Sequence, residues 1–264
     1  MRTIQSTDNQ TIKLVNKLKT KKHRNEQGLF FVEGLRLVEE FVGRPKLVKA
    51  LFVETSLLDS MKELVEPLDD RCFQIDARLM KQICSTQTPQ GLAAIVEKPR
   101  WDFNDVFKRD GMIVILDKVS DPGNMGSILR TCWALDVNGV LLSSGCVDPF
   151  SPKVVRSTMG GILNVPLFQD AGSREWKSLK EADFQFVGTN VQADHNYFEM
   201  DLKGKCALVM GNEAFGVGQE LTMCCDQFIK IPMNANVDSL NVAAACAIII
   251  SESSRQRYGG LILS

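Results

Sequence analysis

The chain has 264 residues, of which 44% are hydrophobic, and a formal net charge of −1. That length and apolar content support a sizeable core and favour two domains over one. The near-neutral charge excludes a generally basic nucleic-acid binder, so any contact with phosphates must come from a local patch. The sequence has no run of eighteen apolar residues and no signal pattern at its polar start. We therefore expect a soluble, cytoplasmic protein that does not span a membrane, although an organelle transit peptide remains open.

Cysteine and histidine usage limits the chemistry available to the chain. Most of the eight cysteines lie in apolar runs and none forms a CxxC motif, which is typical of reduced cysteines used as small hydrophobic residues. The pair Cys224 and Cys225 lacks further ligands at zinc spacing. The two histidines, His23 and His195, are too few for a multi-histidine site. The sequence therefore predicts no metal.

The first 25 residues form a basic segment. They carry seven lysines and arginines and a single acidic residue, Asp8. Apolar residues at rough helical spacing predict a basic amphipathic helix over 11–21. Its charge fits either a solvated surface or a patch that binds phosphates.

The following stretch alternates short apolar strands with helices. We predict strands at 29–32, 47–53, 72–75 and 91–96, and helices at 35–41, 56–68 and 76–84. This pattern defines a small α/β domain over 1–97, in which no catalytic cluster is obvious. Charge, proline and a change of rhythm in KPRW then predict a linker over 98–110.

From 111 to 264 the pattern predicts a second α/β domain. Strands are expected at 112–116, 139–142, 164–168, 185–189, 206–210 and 229–232. Helices are expected from about Asn124, near 152–160 and from Leu240, with Asn124 and Ser239 as N-cap residues of the first and the last. Alternation of this kind predicts a parallel sheet. The last helix is apolar almost all round, which predicts packing on several sides.

Polar residues and a glycine collect after these strands, where open parallel sheets bind their ligands. They are Asn124, Arg130, Thr189, Gly211, Glu213, Ser239 and Asn241. The dinucleotide motif GxGxxG, the P-loop and the GxSxG motif are all absent from the sequence. The residues alone therefore predict a ligand of mixed polarity at this edge, and each could equally be a helix cap, a turn residue or a surface charge.

Three segments together carry a family resemblance. LDKVSDPGNMGSILRT, LVMGNEAFGVG and IPMNANVDSLNVAAACAII resemble, in this order, the motifs of the SpoU (TrmH-like) family of RNA ribose 2′-O-methyltransferases. KKHRNEQGLFFVEGLRLVEE and TQTPQGLAAI are similar to the ribosomal-protein-like RNA-binding domain that precedes the catalytic domain in many members. The resemblance implies a SPOUT-type α/β fold, a parallel sheet with a C-terminal deep trefoil knot, after a small α/β RNA-binding domain. It also implies S-adenosylmethionine as cofactor and a homodimer with the active site near its interface.

The resemblance implies roles for the matching positions. The active-site positions are Asn124, Arg130, Glu213, Ser239 and Asn241. The cofactor-binding positions are Thr189, Gly211, Ile231, Met233 and Leu240. Apart from the resemblance, the basic residues Lys21, Lys22, Arg24, Arg36 and Arg156 are expected to contact RNA. One departure is Ala235, which stands where members commonly have glycine, and a left-handed backbone there would make alanine slightly costly.

The expected reaction is methyl transfer from S-adenosylmethionine to a ribose 2′-hydroxyl in structured RNA. The separate N-terminal domain favours ribosomal RNA by family analogy. The alternatives are a tRNA ribose methyltransferase, a methyltransferase that acts on a base, and a catalytically silent RNA-binding or assembly protein.

A guanidinium is effectively never deprotonated, so Arg130 is not expected to act as a general base. We expect it to clamp the adjacent phosphate and to stabilise charge that develops on the oxygen. Asn124, Ser239 and Asn241 are expected to position the ribose. Glu213 is expected to orient Arg130 or the loop.

Overall fold

The computed structural model describes residues 1–107 and 110–259. These residues form two compact units. The first unit contains Met1–Arg100 and Phe150–Leu163, and the second contains Trp101–Pro149 and the chain from Asn164 onward. The division predicted from the sequence, 1–97, 98–110 and 111–264, stays a prediction, and it assigns the segment 150–163 to the second domain.

The secondary-structure elements are numbered in chain order. The strands are β1 (Arg2–Thr3), β2 (Leu29–Glu33), β3 (Val48–Glu54), β4 (Cys72–Ile75), β5 (Leu92–Glu97), β6 (Met112–Leu116), β7 (Gly139–Ser143), β8 (Leu167–Ala171), β9 (Gln185–Thr189), β10 (His195–Asn196), β11 (Cys206–Met210) and β12 (Gln227–Lys230). The helices are α1 (Gln10–Lys17), α2 (Lys21–Gln27), α3 (Leu35–Val42), α4 (Lys62–Val65), α5 (Ala77–Ile83), α6 (Pro122–Ala134), α7 (Pro152–Ser157), α8 (Gly161–Asn164), α9 (Ser173–Glu181), α10 (Gln219–Cys224) and α11 (Val242–Tyr258).

The first unit is built on a mixed sheet with the strand order β1-β4-β3-β5-β2. Strands β1 and β3 pair parallel with β4, whereas β5 pairs antiparallel with β2 and β3. Helices α1 and α5 contribute Ile12, Val15 and Leu79 to the core on one side of this sheet. The segment that begins at Phe150 is fastened to the same unit, because Arg156 forms an ion pair with the buried Glu33.

The second unit is built on a seven-stranded parallel sheet with the order β10-β12-β9-β11-β6-β7-β8. Every residue of the central strands β6 and β11 is buried, which explains why both read as continuous apolar runs. From β6 the chain adds β7 and then β8 toward one edge of the sheet. The strands that come later, β9 to β12, lie on the opposite side of β6. The predicted fold class, an α/β protein with a parallel sheet after a small α/β domain, is confirmed.

Two helix caps differ from the prediction. Helix α6 begins earlier than expected, at Pro122, and its N-cap is Asp121 rather than Asn124. Proline is tolerated at the first helical position, so the motif SDPGN opens the helix. Helix α11 is capped by Asn241, whose Oδ1 accepts from the amides of Ala243 and Ala244, and Ser239 is not its cap.

Helix prediction failed most clearly over 56–68. Only Lys62–Val65 is α-helical there, between 3-10 turns at Thr55–Leu57 and Glu66–Arg71. Pro67 lacks an amide hydrogen and Leu68 has non-helical dihedral angles, so a continuous helix cannot form. The short helices α9 and α10 were not predicted; α9 is highly charged, whereas α10 has a single charged residue, Glu220.

Helix α11 packs against α6, and part of its surface stays exposed in the single chain. Ala244, Ser251 and Arg255 are exposed, whereas Cys246 and Ile249 are buried. The packing on several sides that its sequence predicts is therefore incomplete in the single chain.

All eight cysteines are free, and five of them are buried. Their use as small hydrophobic residues is the one expected from the sequence. No helix in the described part of the chain combines the length and the apolar character needed to cross a lipid bilayer.

Candidate active site

The candidate site lies where four parallel strands of the second unit end together. Met210 of β11 is level with Leu116 of β6, and Thr189 of β9 is level with Ile229 of β12. The loops that follow these strands therefore start at one edge of the sheet. This edge lies beside the reversal in strand order, the place where parallel sheets bind ligands.

A cavity of about 680 Å³ opens at this edge. Its apolar walls include Met210, Ile231, Leu240 and Ile249. Its polar lining includes Thr189, Asn190, Asn212, Glu213, Ser239 and Asn241. The volume and the mixed lining suit a small organic ligand with both apolar and polar parts.

Glu213 collects hydrogen bonds from the loop after β6. Its Oε1 accepts from the amide of Asp121 at 3.2 Å and from Asn124 Nδ2 at 2.9 Å. Its Oε2 accepts from the amide and hydroxyl of Ser120 at 3.4 and 3.3 Å. Burial acts to raise the pKa of Glu213, but hydrogen bonds from Asn124 and from backbone amides outweigh it and hold the pKa below its ordinary value. Glu213 is therefore an ionised acceptor at neutral pH.

A chain of side-chain amides joins Glu213 to helix α11. Asn241 Oδ1 is committed to the first amides of that helix, so its Nδ2 must donate, and it does so to Asn124 Oδ1 at 2.8 Å. Asn124 then has only its Nδ2 left, which donates to Glu213. The orientation of the Asn241 amide thus fixes that of the Asn124 amide. All the hydrogen bonds in this series can form only if Glu213 is an acceptor.

The loop after β11 is folded back tightly on itself. Asn212 and Gly216 exchange two backbone hydrogen bonds of 2.9 Å each. Asn212 Oδ1 accepts from the amides of Ala214 and Phe215, and its Nδ2 donates to the carbonyl of Lys118 at 2.8 Å. A Cβ on Gly211 would overlap the backbone of Gly216, so only glycine fits at the end of the strand.

The structure brings together nearly all the residues that the sequence assigned to catalysis and cofactor binding. Of the predicted residues, those that line the cavity are Thr189, Gly211, Glu213, Ile231, Met233, Ser239, Leu240 and Asn241. Asn124 is joined to two of them by hydrogen bonds. Arg130 is the exception, because it is exposed on α6 and does not line the cavity of its own chain. Ala235 does not have the positive φ that would favour glycine, so its departure from the motif costs nothing there.

The five predicted RNA contacts fall into two groups. Lys21, Lys22 and Arg36 are exposed. Arg24 is only 4% exposed, and its Nη1 donates to the carbonyl of Leu18 at 2.7 Å. Arg156 is held by Glu33 and Ser85. The last two arginines therefore have structural partners within the first unit, and their charge is less available to RNA.

Several site residues were missed by sequence reasoning. The hydroxyl of Ser120 and the backbone amide of Asp121 donate to Glu213. Asp117 Oδ2 accepts from the amide of Gly218 at 2.7 Å. Asp directly before Pro is a helix-start signal, and it could have identified Asp121. No sequence pattern signals the other contacts, which join loops far apart in the chain.

The fold and the site define an α/β protein that binds a small ligand at the carboxyl edge of a parallel sheet. Residues 111–251 match the model of the SpoU rRNA Methylase family, and residues 9–94 match that of the MRM3-like substrate binding domain. The chain belongs to the SpoU rRNA methylase family.

Relatives and solved structures agree with this assignment. The 23S rRNA (guanosine(2553)-2′-O)-methyltransferase RlmP of Bacillus subtilis is 31% identical over 95% of this chain and 98% of its own length. The crystal structure of the AdoMet-bound rRNA methyltransferase from Sinorhizobium meliloti is 29% identical, with a TM-score of 0.86 over 99% of this chain and 98% of that chain. The A. aeolicus TrmH/SpoU tRNA modifying enzyme is 29% identical, with a TM-score of 0.51 over 60% of this chain and 81% of that chain.

The protein is therefore an S-adenosylmethionine-dependent RNA 2′-O-methyltransferase with the SPOUT-type fold, as the three motifs predicted. The cavity fits this cofactor in volume and in its combination of apolar walls and polar lining. We assign Thr189, Gly211, Ile231, Met233 and Leu240 to holding it, as a proposal that rests on their place in the lining.

Replacing Gly211 with alanine should abolish measurable cofactor binding. The added Cβ would push the loop Asn212–Gly216 off β11 and close the cavity from that side. Isothermal titration with S-adenosylmethionine measures the loss. Gly204→Ala is the matched control, because nothing lies within 4 Å of a Cβ at that glycine. Wild-type affinity in Gly211→Ala would contradict the role of this glycine.

Proposed function

We propose that this protein methylates a ribose 2′-hydroxyl of ribosomal RNA. The observation that carries the proposal is the amide chain from Asn241 through Asn124 to Glu213, fixed at the edge of the cofactor cavity. Similarity to the rRNA methyltransferases extends over both units, whereas similarity to the tRNA modifying enzyme covers 60% of the chain. Ribosomal RNA is therefore favoured over tRNA. Such a substrate fits a cytoplasmic protein.

The cofactor, when bound, supplies an electrophilic methyl group. The chain must then place the 2′-hydroxyl in line with it and accommodate the charge that develops on the oxygen. Ser239 and Asn241 line the cavity and are proposed to orient the ribose. Asn124 is proposed to act with them, since it bonds to Asn241.

Glu213 is a poor candidate for the base that takes the hydroxyl proton. Its oxygens are already occupied by donors, and its pKa is lowered. We propose instead that it holds the loop after β6 and, through Asn124, the ribose-binding amides. Arg130 is proposed to clamp the adjacent phosphate and to stabilise charge on the reacting oxygen.

We propose a homodimer in which the exposed faces of α6 and α11 are covered by a second copy. Arg130 and Trp133 are exposed three residues apart on α6. Ala244 and Ser251 are exposed on α11, which packs against α6. Burial of this surface would explain the apolar composition of α11, and it would carry Arg130 toward the cavity of the partner.

The function is tested with ribosomal RNA and tRNA purified from cells that lack the protein. Each RNA is incubated with the protein and S-adenosylmethionine, and 2′-O-methylated nucleotides are located by their resistance to alkaline hydrolysis. A new site in ribosomal RNA supports the proposal. A site in tRNA alone, a methylated base, or cofactor binding without any methyl transfer would each overturn it in favour of another function.

The exposed lysines at the start of α2 should contribute to RNA affinity through phosphates. Changing Lys21 and Lys22 to glutamine should weaken binding and lower the slope of log Kd against log salt by about one for each phosphate that the protein no longer neutralises. Lys46 and Lys62, also exposed in the first unit, provide a matched double control. An unchanged salt slope in the Lys21/Lys22 variant would remove this assignment.

A further inference from the structure

Phe215 is the most exposed of the large hydrophobic side chains in the described chain, at 89%. Single exposed apolar residues are common and need no explanation by themselves. Phe215 differs because it lines the cofactor cavity. Val191 and Leu240 also line that cavity and are 54% and 37% exposed, so the cavity has an apolar rim.

The loop fixes the backbone that carries this ring. The amide of Phe215 donates to Asn212 Oδ1, and the next residue, Gly216, is bonded twice to the backbone of Asn212. Gly216 has a φ of +67°, the left-handed conformation that lets the loop turn back here. The ring is thus presented to solvent on a rigid turn.

The same turn carries Glu213, which anchors the amide chain proposed to hold the ribose. The base of a nucleotide is attached to the ribose carbon next to the one that bears the 2′-hydroxyl. A ribose bound at Asn241 and Ser239 would therefore bring its base to the rim of the cavity. Proteins that recognise unpaired RNA commonly stack such bases on aromatic side chains.

We propose that Phe215 is a stacking platform for the base of the nucleotide that is methylated, an inference that rests on the proposed function. The ring selects nucleotides whose base can leave its own stack. Stacking does not depend on the identity of the base, because every base has a flat π face. Phe215 therefore favours unpaired target nucleotides, and other groups must set the choice among bases.

The test is a cycle that combines a change in the protein with a change in the RNA. Once the methylated nucleotide has been mapped, RNA fragments are made with that nucleotide intact or without its base, the ribose being retained. Phe215→Ala should lower kcat/KM on intact RNA between about 5-fold and 150-fold. Removing the base should cost the wild-type enzyme a similar factor, and the two changes together should cost little more than either alone. Phe215→Trp, which keeps a flat aromatic ring, should retain most of the wild-type kcat/KM on intact RNA.

Three controls separate this role from others. Phe198→Ala changes an exposed phenylalanine that does not line the cavity, and it should leave kcat/KM unchanged. Cofactor affinity should be the same in Phe215→Ala and wild type, and so should the sedimentation coefficient. Independent, multiplicative effects of the two changes would overturn the stacking role, as would an altered oligomeric state or a loss of cofactor binding. If the wild-type enzyme methylates no RNA, the proposed function itself fails.

Discussion

Replacing Arg130 with lysine is expected to lower kcat/KM for RNA by about 10²- to 10³-fold. Lysine keeps the positive charge but loses the planar fork that grips a phosphate with two parallel hydrogen bonds. It also offers a single donor atom where the proposed role needs one group for the phosphate and another for the reacting oxygen. Turnover close to that of wild type would rule out the two-point clamp.

The same variant tests whether Arg130 acts in the active site of its own chain or in that of its partner in a dimer. Arg130 is exposed and lies outside the cavity of its own chain. If it acts across a dimer, mixing Arg130→Lys with Gly211→Ala should create heterodimers that have one intact site. Random exchange of subunits should then restore roughly a quarter of the wild-type rate, because half of the dimers are mixed and each has one of two sites.

Two measurements complete the experiment. Arg174→Lys, at an exposed arginine on α9, is the matched control and should have wild-type activity. Cofactor affinity of Arg130→Lys should also match wild type, since the proposed partners of Arg130 are the RNA phosphate and the reacting oxygen rather than the cofactor. No recovery of activity in the mixture, under conditions where subunits exchange, would show that Arg130 serves its own chain.

Three of the seven strands in the sheet of the second unit were predictable to the residue, because burial leaves a simple pattern, whereas the strands expected at 164–168 and 229–232 lie at Leu167–Ala171 and Gln227–Lys230. Met112–Leu116, Gln185–Thr189 and Cys206–Met210 match the predicted bounds to the residue. Each is a short run, largely apolar, set between polar or glycine-rich turns, which local reasoning can detect. Helix ends were harder, because the choice between Asp121 and Asn124 as cap depends on what each side chain bonds to in the folded protein.

The site itself could not have been assembled from local patterns. Asn124 is bonded to Glu213 and to Asn241, which lie 89 and 117 residues further along the chain. Periodicity carries no information about such contacts, and only the resemblance of three ordered motifs brought these residues together. The buried state of Arg24 was equally hidden, because a basic side chain in a basic segment reads as exposed until its carbonyl partner is seen.

Changing Glu213 to glutamine should weaken cofactor binding about tenfold and remove most of the activity. The new side chain has the same shape but only one acceptor oxygen. If that oxygen faces Asn124, the new amide group faces the amide and hydroxyl of Ser120, which also donate. Donors would then oppose donors at Ser120, whereas the opposite orientation would set the new amide group against Asn124 Nδ2 and leave the amide chain to Asn241 without its acceptor.

The dependence on pH gives this prediction its sharpest form. The pKa of Glu213 is lower in the folded protein than in the unfolded chain, so its ionised form stabilises the site. That contribution is complete above the ordinary pKa of glutamate and is lost as the pH falls through the lower, folded value. Cofactor affinity of the wild type should therefore stay level from neutral pH down to the ordinary glutamate range and decline only below it. Glu213→Gln should lack this decline.

Glu220→Gln provides the matched control, because Glu220 is exposed on α10 and does not line the cavity. It should bind S-adenosylmethionine like wild type and keep the decline at low pH. A Glu213→Gln variant with wild-type affinity at pH 7 would show that the carboxylate does not organise the cavity. A decline that begins well above the glutamate range in wild type would contradict the lowered pKa, since protonation would then break the chain of amides under conditions where the hydrogen bonds should hold Glu213 ionised.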